Sequence, residues 1–555
     1  MNKHADLVLY STAIFDSVQD APFSGGVAIT GERIMFVGRR QDVQAYVGPN
    51  TIVKEFGDSL IMPGFFDGHG HFQTAAIREY GPCIKYLEEC RSEQEVVEGV
   101  KKYLQENPSC KRVHGRCWMQ CSWGPDALLP TKESLDEAVP DIPVYLLSQT
   151  GHSCWMNSAA IQECGLEELV KQHPEWSPEF VVLDKKGEPT GFVTENASYA
   201  VRYMVEVYTP EEIEMCDWKF HDLLSSYGIT SFTDTTGIAP DAIWEYLKPF
   251  KELENQGKLH LRVHQWAGQP PMGDEADNNV ISGLSTLKLL RTYLQGDKIR
   301  IAGSKMMFDG VPDTHTAAML EPYADEPTEC GEVLATADAY KKCFVAANRM
   351  GFAVKCHCIG DRAVHMAIDA FAESHQVNGN QSLRNAVEHM NTISDEDIVR
   401  MKDLDLIASV QPAHMVDWIK GCGEKLYGHK RNLRESRYRT LIDAGIRYSV
   451  GTDTPVVSAN PLHTVYEAVT RRDENGVMYE PKTPEQAMTL SEVLKGYTIG
   501  SAYASNMEEK LGTLEAGKYA DIAVIDRNLF AIPAQEIKGC HNICTIFDGK
   551  IVFEA

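Results

Sequence analysis

Apolar positions along the chain follow two periods. Near the start, short runs alternate between apolar and polar residues, at Asp6 to Tyr10, Gly26 to Thr30 and Arg33 to Val37, with glycine-rich turns between them. A period of two bounded by turn residues predicts strands of a small sheet. The far end repeats the texture: Ala520 to Ile525 and Cys544 to Phe547 are short apolar runs, and Asp548-Gly549 makes a hairpin turn into Lys550 to Phe553. The likeness of the two ends predicts one composite β-sandwich domain, residues 1–58 plus 506–555, split by everything between.

Between the ends, apolar runs too continuous for a half-exposed strand alternate with helical segments, which predicts a parallel sheet of βα units in the α/β class. Eight runs qualify: Leu60 to Phe65, Ile229 to Asp234, Leu259 to Trp266, Ile299 to Met306, Phe352 to His357, Asn385 to His389, Leu406 to Gln411 and Ile446 to Gly451. Helices fit between several of them. Ala337 to Arg349 follows Thr336 as N-cap, and Arg362 to Ser374 follows Asp361 in the same role. Eight such units close into a (β/α)8, TIM-like barrel, here residues 59–72 plus 218–505. Residues 73–217 break the rhythm and carry strand-like runs of their own, such as Val144 to Ser148; they predict an insertion after the first barrel strand, on the loop face that covers the active site.

Composition narrows the class. A chain of 555 residues with 43% hydrophobic and 24% charged residues has enough apolar surface for a large core plus accessory parts. Its 79 acidic against 53 basic residues leave a formal charge of −26, which repels nucleic-acid phosphates and anionic lipid. No apolar run approaches the roughly 20 residues of a membrane span, and Met1 to Tyr10 reads as a strand, so the expected compartment is the cytoplasm. Fifteen cysteines, an odd number without paired CxxC spacing, predict reduced buried thiols; Cys356 and Cys358 flank His357 as small apolar fillers.

The chemistry concentrates at strand ends. In Pro63-Gly64-Phe65-Phe66-Asp67-Gly68-His69-Gly70-His71 an apolar strand ends in two histidines two residues apart, which places both imidazoles on one face, toward one metal. Such a pair is common by chance. Lys305 at the fourth strand, His357 at the fifth, Glu388-His389 at the sixth and Asp453 in Gly451-Thr452-Asp453-Thr454-Pro455 at the eighth add ligand chemistry where barrel enzymes assemble their sites. Each alone reads as a core histidine, a paired lysine or a turn aspartate; five barrel ends together read as one metal site.

This pattern resembles the amidohydrolase superfamily, specifically its long family-3 type that includes N-substituted formamide deformylases. The resemblance spans nearly the whole chain and includes Leu511-Gly512-Thr513-Leu514-Glu515-Ala516-Gly517-Lys518-Tyr519-Ala520-Asp521, the structural run leading back into the terminal sheet. It implies a binuclear centre on His69, His71, Lys305, His357, His389 and Asp453. An ammonium has no lone pair for a metal, so the resemblance implies an N6-carboxylated Lys305 whose two oxygens bridge two cations; an unmodified Lys305 beside a single metal is the alternative. Two zinc ions suit the imidazole and oxygen donors, with manganese, iron or cobalt able to fill the same site. The implied reaction is hydrolysis of a non-peptide C–N bond, an amide, N-formyl or N-acyl amine, by a metal-held hydroxide, with Asp453 as the catalytic base and acid.

Around that centre, Gly151-His152-Ser153-Cys154-Trp155-Met156-Asn157-Ser158 resembles a motif of the long subgroup, and His152 is the expected oxyanion contact or substrate clamp. A structural histidine in a turn is its plain alternative. Trp118, Trp123 and Trp155 share the insertion as an aromatic lid or as core. Asp309, Asp361 and His414 follow strands four, five and seven, the two aspartates as helix caps and His414 toward the pocket; with His152 and Trp123, Asp309 and His414 complete the expected substrate-binding set. A mononuclear deaminase is the competing enzyme class, weakened because no H-x-x-E pattern follows His357, and a cyclic amidase remains open. A metal-binding barrel without turnover is the non-enzyme alternative, with every expected ligand type present. The expected partner is a small-molecule amide, with no nucleic acid and no membrane, and the resemblance implies a homodimer.

Overall fold

In the computed structural model, which describes residues 4–81, 83–84, 87–124, 127–174, 180–205, 208–269, 277–417 and 423–555, eight parallel strands stand side by side in chain order. They are β1 (Phe65–Gly70), β2 (Ile229–Asp234), β3 (Arg262–Gly268), β4 (Ile299–Met307), β5 (Ala353–Cys358), β6 (Ala386–His389), β7 (Ile407–Val410) and β8 (Tyr448–Val450). Just past β8, Asp453 N–H donates to the His69 carbonyl at 2.8 Å and Thr454 bridges to Gly70, so the last strand returns to the first. Five helices matter below: α1 (Phe72–Tyr80), α2 (Glu195–Val205), α3 (Pro210–Ser226), α4 (Ala337–Arg349) and α5 (Asp361–Asn378).

Seven barrel strands fall where the apolar runs place them, and β2 has the predicted ends. The first differs. Leu60–Pro63 lies in the terminal sheet, antiparallel to Ile522–Ile525, and the barrel strand begins at Phe65. Gly64 is the crossing point: its N–H donates to Asp521 O and the next N–H, of Phe65, to Gly228 O, each at 2.9 Å. Both strands are fully buried, so hydropathy shows one apolar run where the backbone changes sheets.

Thr336 caps α4, accepting from Ala339 N–H at 3.3 Å. Asp361 is not a cap: Gly360 holds the N-cap position of α5 and Asp361 is its first residue, with a carboxylate that accepts from Leu320 N–H at 2.7 Å. The first helical N–H groups are met instead by the Ala318 carbonyl, which accepts from Arg362 and Ala363 at 3.1 and 3.3 Å, while Asp309 accepts from Ile359 and Gly360 just ahead of the helix at 3.0 and 2.8 Å.

The two chain ends meet in one sheet of eight strands, seven on one hydrogen-bonded path and the eighth, Ile52–Glu55, paired beside Leu7–Ile14. Leu60–Pro63 from the N-terminal part pairs with Ile522–Ile525 from the C-terminal part, in the register Ile61 to Val524. Fully buried Arg262 opens β3 and ties this sheet to the barrel, donating to Asp521 at 2.7 Å and also to Asp548.

A second sheet, in the order Val181–Leu183, Pro189–Thr194, Ser153–Met156, Val144–Ser148, Val113–Trp118, forms inside the insertion around its own core of Trp118, Leu146, Trp155 and Phe192. Helices α1 and α3, which the expected boundaries at 72/73 and 217/218 divide, bury Phe72, Ala75, Phe220 and Leu224 in the barrel core. Among the described residues no helix is long and apolar enough to cross a membrane, and twelve cysteines are free thiols.

Candidate active site

The HxH pair works as its spacing demands. His69 Nε2 and His71 Nε2 lie 3.1 and 2.8 Å from the same oxygen, Asp453 Oδ1. Asp453 is delivered by a left-handed backbone position (φ 62°), and His389 by another (φ 68°), conformations an ordinary residue adopts at a cost that a functional site absorbs. On the far oxygen of Asp453, His414 Nε2 stands at 3.3 Å and His389 Nδ1 at 3.8 Å. Two triads therefore share Asp453: His69, His71 and Asp453, and His389, His414 and Asp453, with the ligand atoms of each within 4.8 Å of one another. His69 Nε2 and Asp453 Oδ1 are buried without a hydrogen-bond partner, although they face each other. A divalent cation is the group that such converging buried lone pairs fit.

Beneath this layer lies Glu388. Its Oε1 is 2.5 Å from His69 Nδ1, its Oε2 contacts Lys305 Nζ, and Lys355 Nζ is 3.5 Å away while donating to Gly68 O at 2.8 Å. Burial alone would keep Glu388 protonated, but His69, Lys305 and Lys355 outweigh it and hold its carboxyl well below the usual range. Burial likewise opposes the His69 imidazolium, yet Glu388 and Asp453 raise its pKa. His357 and His389 are pushed far below the ordinary histidine value, chiefly by burial, which disfavours their charged forms.

The site opens into a cavity of about 620 Å³ lined by His69, His71, Lys305, His357, His389 and Asp453 among others. His152 enters it from the insertion, its ring 5.6 Å from that of His357. Glu195 Oε2 holds His152 Nδ1 at 2.9 Å, Tyr199 OH lies 3.0 Å from the same nitrogen, and Thr316 donates to Glu195 Oε1 at 2.8 Å. Glu195 takes a left-handed backbone (φ 44°), fixed by its N–H donating to the His152 carbonyl at 2.8 Å. Burial disfavours a charged His152, but the Glu195 carboxylate overrides it and raises the pKa.

The expected ligands thus gather at one mouth, with two differences in detail. His357 stands outside both triads, its Nε2 3.4 Å from Gly310 O, while His414, expected only in the pocket, is a triad member stacked on His389. Its pKa is pushed down to about 4, mainly by burial, against the pull of Asp453. Of the expected substrate contacts only His152 lines the cavity: His414 is turned to Asp453 outside its lining, and the other two lie elsewhere. Trp123 packs on Trp118 and Trp155 in the insertion core, and Asp309 spends its carboxylate on the N–H groups of Ala318, Ile359 and Gly360 behind His357. Burial raises the Asp309 pKa to about 7. Glu195 and Tyr199 escape sequence reading because their target, His152, is 43 and 47 residues away; polar residues directly after the apolar pair Phe192-Val193 are the one local sign.

A profile of the amidohydrolase family matches residues 57–553, and the chain belongs to that family. It is 25% identical to the N-substituted formamide deformylase of Arthrobacter pascens over 544 residues, covering 95% of this chain and 94% of the relative. It is also 25% identical to the protein LONG AFTER FAR-RED 3 of Arabidopsis thaliana over 541 residues, 94% of this chain and 88% of the relative. A metal-dependent hydrolase from Pyrococcus furiosus superposes with a TM-score of 0.69 at 26% identity, covering 94% of this chain and 99% of that one. The chain is thus an enzyme of the metal-dependent amidohydrolases, acting on C–N bonds.

Proposed function

We propose that the protein hydrolyses a linear amide, N-formyl or N-acyl amine of a small molecule, with one or two divalent cations held at the shared Asp453. The observation that carries this reading is the convergence of four imidazoles on the two oxygens of Asp453, which lines a cavity roomy enough for a small substrate. The formamide deformylase relative supports the bond type. Zinc suits the nitrogen and oxygen donors; when bound it polarises the scissile carbonyl and brings the pKa of water from about 15.7 to about 7.

His69, His71, His389 and His414 would supply imidazole nitrogens to the cation, with His69 steadied through its other nitrogen by Glu388. Asp453 takes the proton of the attacking water and returns it to the leaving nitrogen. His152, oriented by Glu195, donates a hydrogen bond to the carbonyl oxygen as negative charge develops there. Tyr199, on the cavity wall beside it, helps fix the ring.

Lys305 divides two readings. As a carbamate it would add two oxygen ligands and support a two-metal centre; as an ammonium it stays paired with Glu388, which favours a single cation. Elemental mass spectrometry on protein purified without added metal, beside Lys305→Ala, tests both. About two metals per chain falling to one or none supports the bridged centre and amide hydrolysis. One metal untouched by the substitution supports a mononuclear deaminase, and none in either protein ends the proposal.

A further inference from the structure

The cavity has a second chemical character away from the histidines. Arg78, Arg116 and Arg202 all line it, while Asp453, turned toward the imidazoles, is the one carboxylate among its described lining residues. In a chain of net charge −26, arginines thus outnumber carboxylates among the described residues of this wall.

The three guanidiniums come from three elements. Arg78 is on α1, Arg202 on α2 and Arg116 on the insertion strand Val113–Trp118. Arg202 donates to Thr74 Oγ1 at 3.2 Å. Thr74 and Arg78 are four residues apart on α1 and so share a face of that helix. Because α1 starts directly after His71, the helix sets their position relative to the triad. Thr74 lies about 5 Å and Arg78 about 10 Å along its axis. Arg116 is 6% exposed, a charge kept out of water facing the cavity. A guanidinium presents its N–H donors in a fork that matches the oxygens of an acid group.

We propose that the substrate carries an anionic oxygen group, a carboxylate or a phosphonate-like acid, at the end away from the scissile amide, and that Arg78, Arg116 and Arg202 receive it. The substrate class is then an N-formyl or N-acyl amino acid, not a neutral N-substituted amide. The inference rests on the amide-hydrolase reading of the same site.

The test is a matched panel on the metal-loaded full-length enzyme: N-formyl and N-acetyl ω-amino acids from glycine to 6-aminohexanoate, their carboxamides, and the corresponding aminoalkyl phosphonates. The expected result is a preference of about 100-fold in kcat/KM for the best acid over its carboxamide, expressed mainly in KM. Arg202→Gln cuts that ratio about tenfold, and Arg202→Lys recovers part of it. Arg78→Gln, on a half-buried helical position, is the companion variant should Arg202→Gln not fold, with thermal melting as the check.

Calorimetric titration with succinate, and with methylphosphonate, reads the anion site without turnover. Binding that weakens in either arginine variant and with added salt supports the inference, and the better of the two ligands names the acid. Carboxamides hydrolysed as well as their acids, or succinate and methylphosphonate binding that is absent or indifferent to both variants, overturns it. If no panel member is hydrolysed, the amide reading fails, while the titration still decides whether the arginines form an anion site.

Discussion

Glu388 Oε1 lies 2.5 Å from His69 Nδ1, so the residue that fixes the first imidazole also neutralises two buried lysines. Glu388→Gln keeps the shape and removes the charge. Metal affinity should drop about 10- to 100-fold in a chelator competition, because the orienting partner of a ligand histidine is lost. Melting temperature should fall as well, since Lys305 and Lys355 lose their buried counter-ion.

Asp453→Asn tests the shared carboxylate. A loss in kcat of about 10²- to 10⁴-fold, the range of a positioned acid or base, should persist when metal is added in excess. Recovery of full turnover at high metal would reduce Asp453 to a ligand.

For His152, steady-state kinetics separate anchoring from chemistry. His152→Ala should lower kcat about 100-fold with KM nearly unchanged, as removal of an oxyanion donor does. Glu195→Gln should give a smaller loss of the same kind, and the double variant should be no worse than His152→Ala, because Glu195 acts through the ring it holds.

Asp217 gives stability a pH dependence. Burial raises its pKa from 3.8 to about 7, with Asp234 and Glu214 adding to the rise. A raised carboxyl pKa means the folded state holds the proton more tightly. Its contribution is therefore complete below about pH 4 and is lost as pH rises through about 7, up to about 4 kcal/mol in all. Asp217→Asn should leave melting near pH 4 little changed and raise it at pH 8; an equal shift at both would refute the assignment.

Arg262 is the electrostatic pin between barrel and terminal sheet. Asp521→Ala leaves part of a buried cation uncompensated and should cost about 3–5 kcal/mol in denaturant unfolding. Arg262→Met should cost less than that if the apolar replacement packs.

The barrel is legible because each strand is an apolar run that ends in polar residues, as Ile229 to Asp234 and Asn385 to His389 show. The boundary at Gly64 is not, because two buried strands in succession have the same hydropathy as one. His69, His71, His389 and Asp453 are readable since their strand ends put them at one mouth. Glu195 is not, because its role depends on a contact across the insertion. Trp123 and Asp309 look functional by type and neighbourhood, yet one is taken up by aromatic packing and the other by three backbone donors. Residue type alone gives no information about how many partners a side chain already satisfies.

The pairing of Leu60–Pro63 with Ile522–Ile525 also sets an order of events in the cell. Translation must run through more than four hundred further residues before the early strand meets its neighbour, so the N-terminal strands emerge with an open edge. Contacts of such long sequence separation form late and slowly. Barrel closure waits nearly as long, because the Asp453 N–H meets the His69 carbonyl from the far part of the chain, so the late-made C-terminal segments complete both the barrel and the sheet.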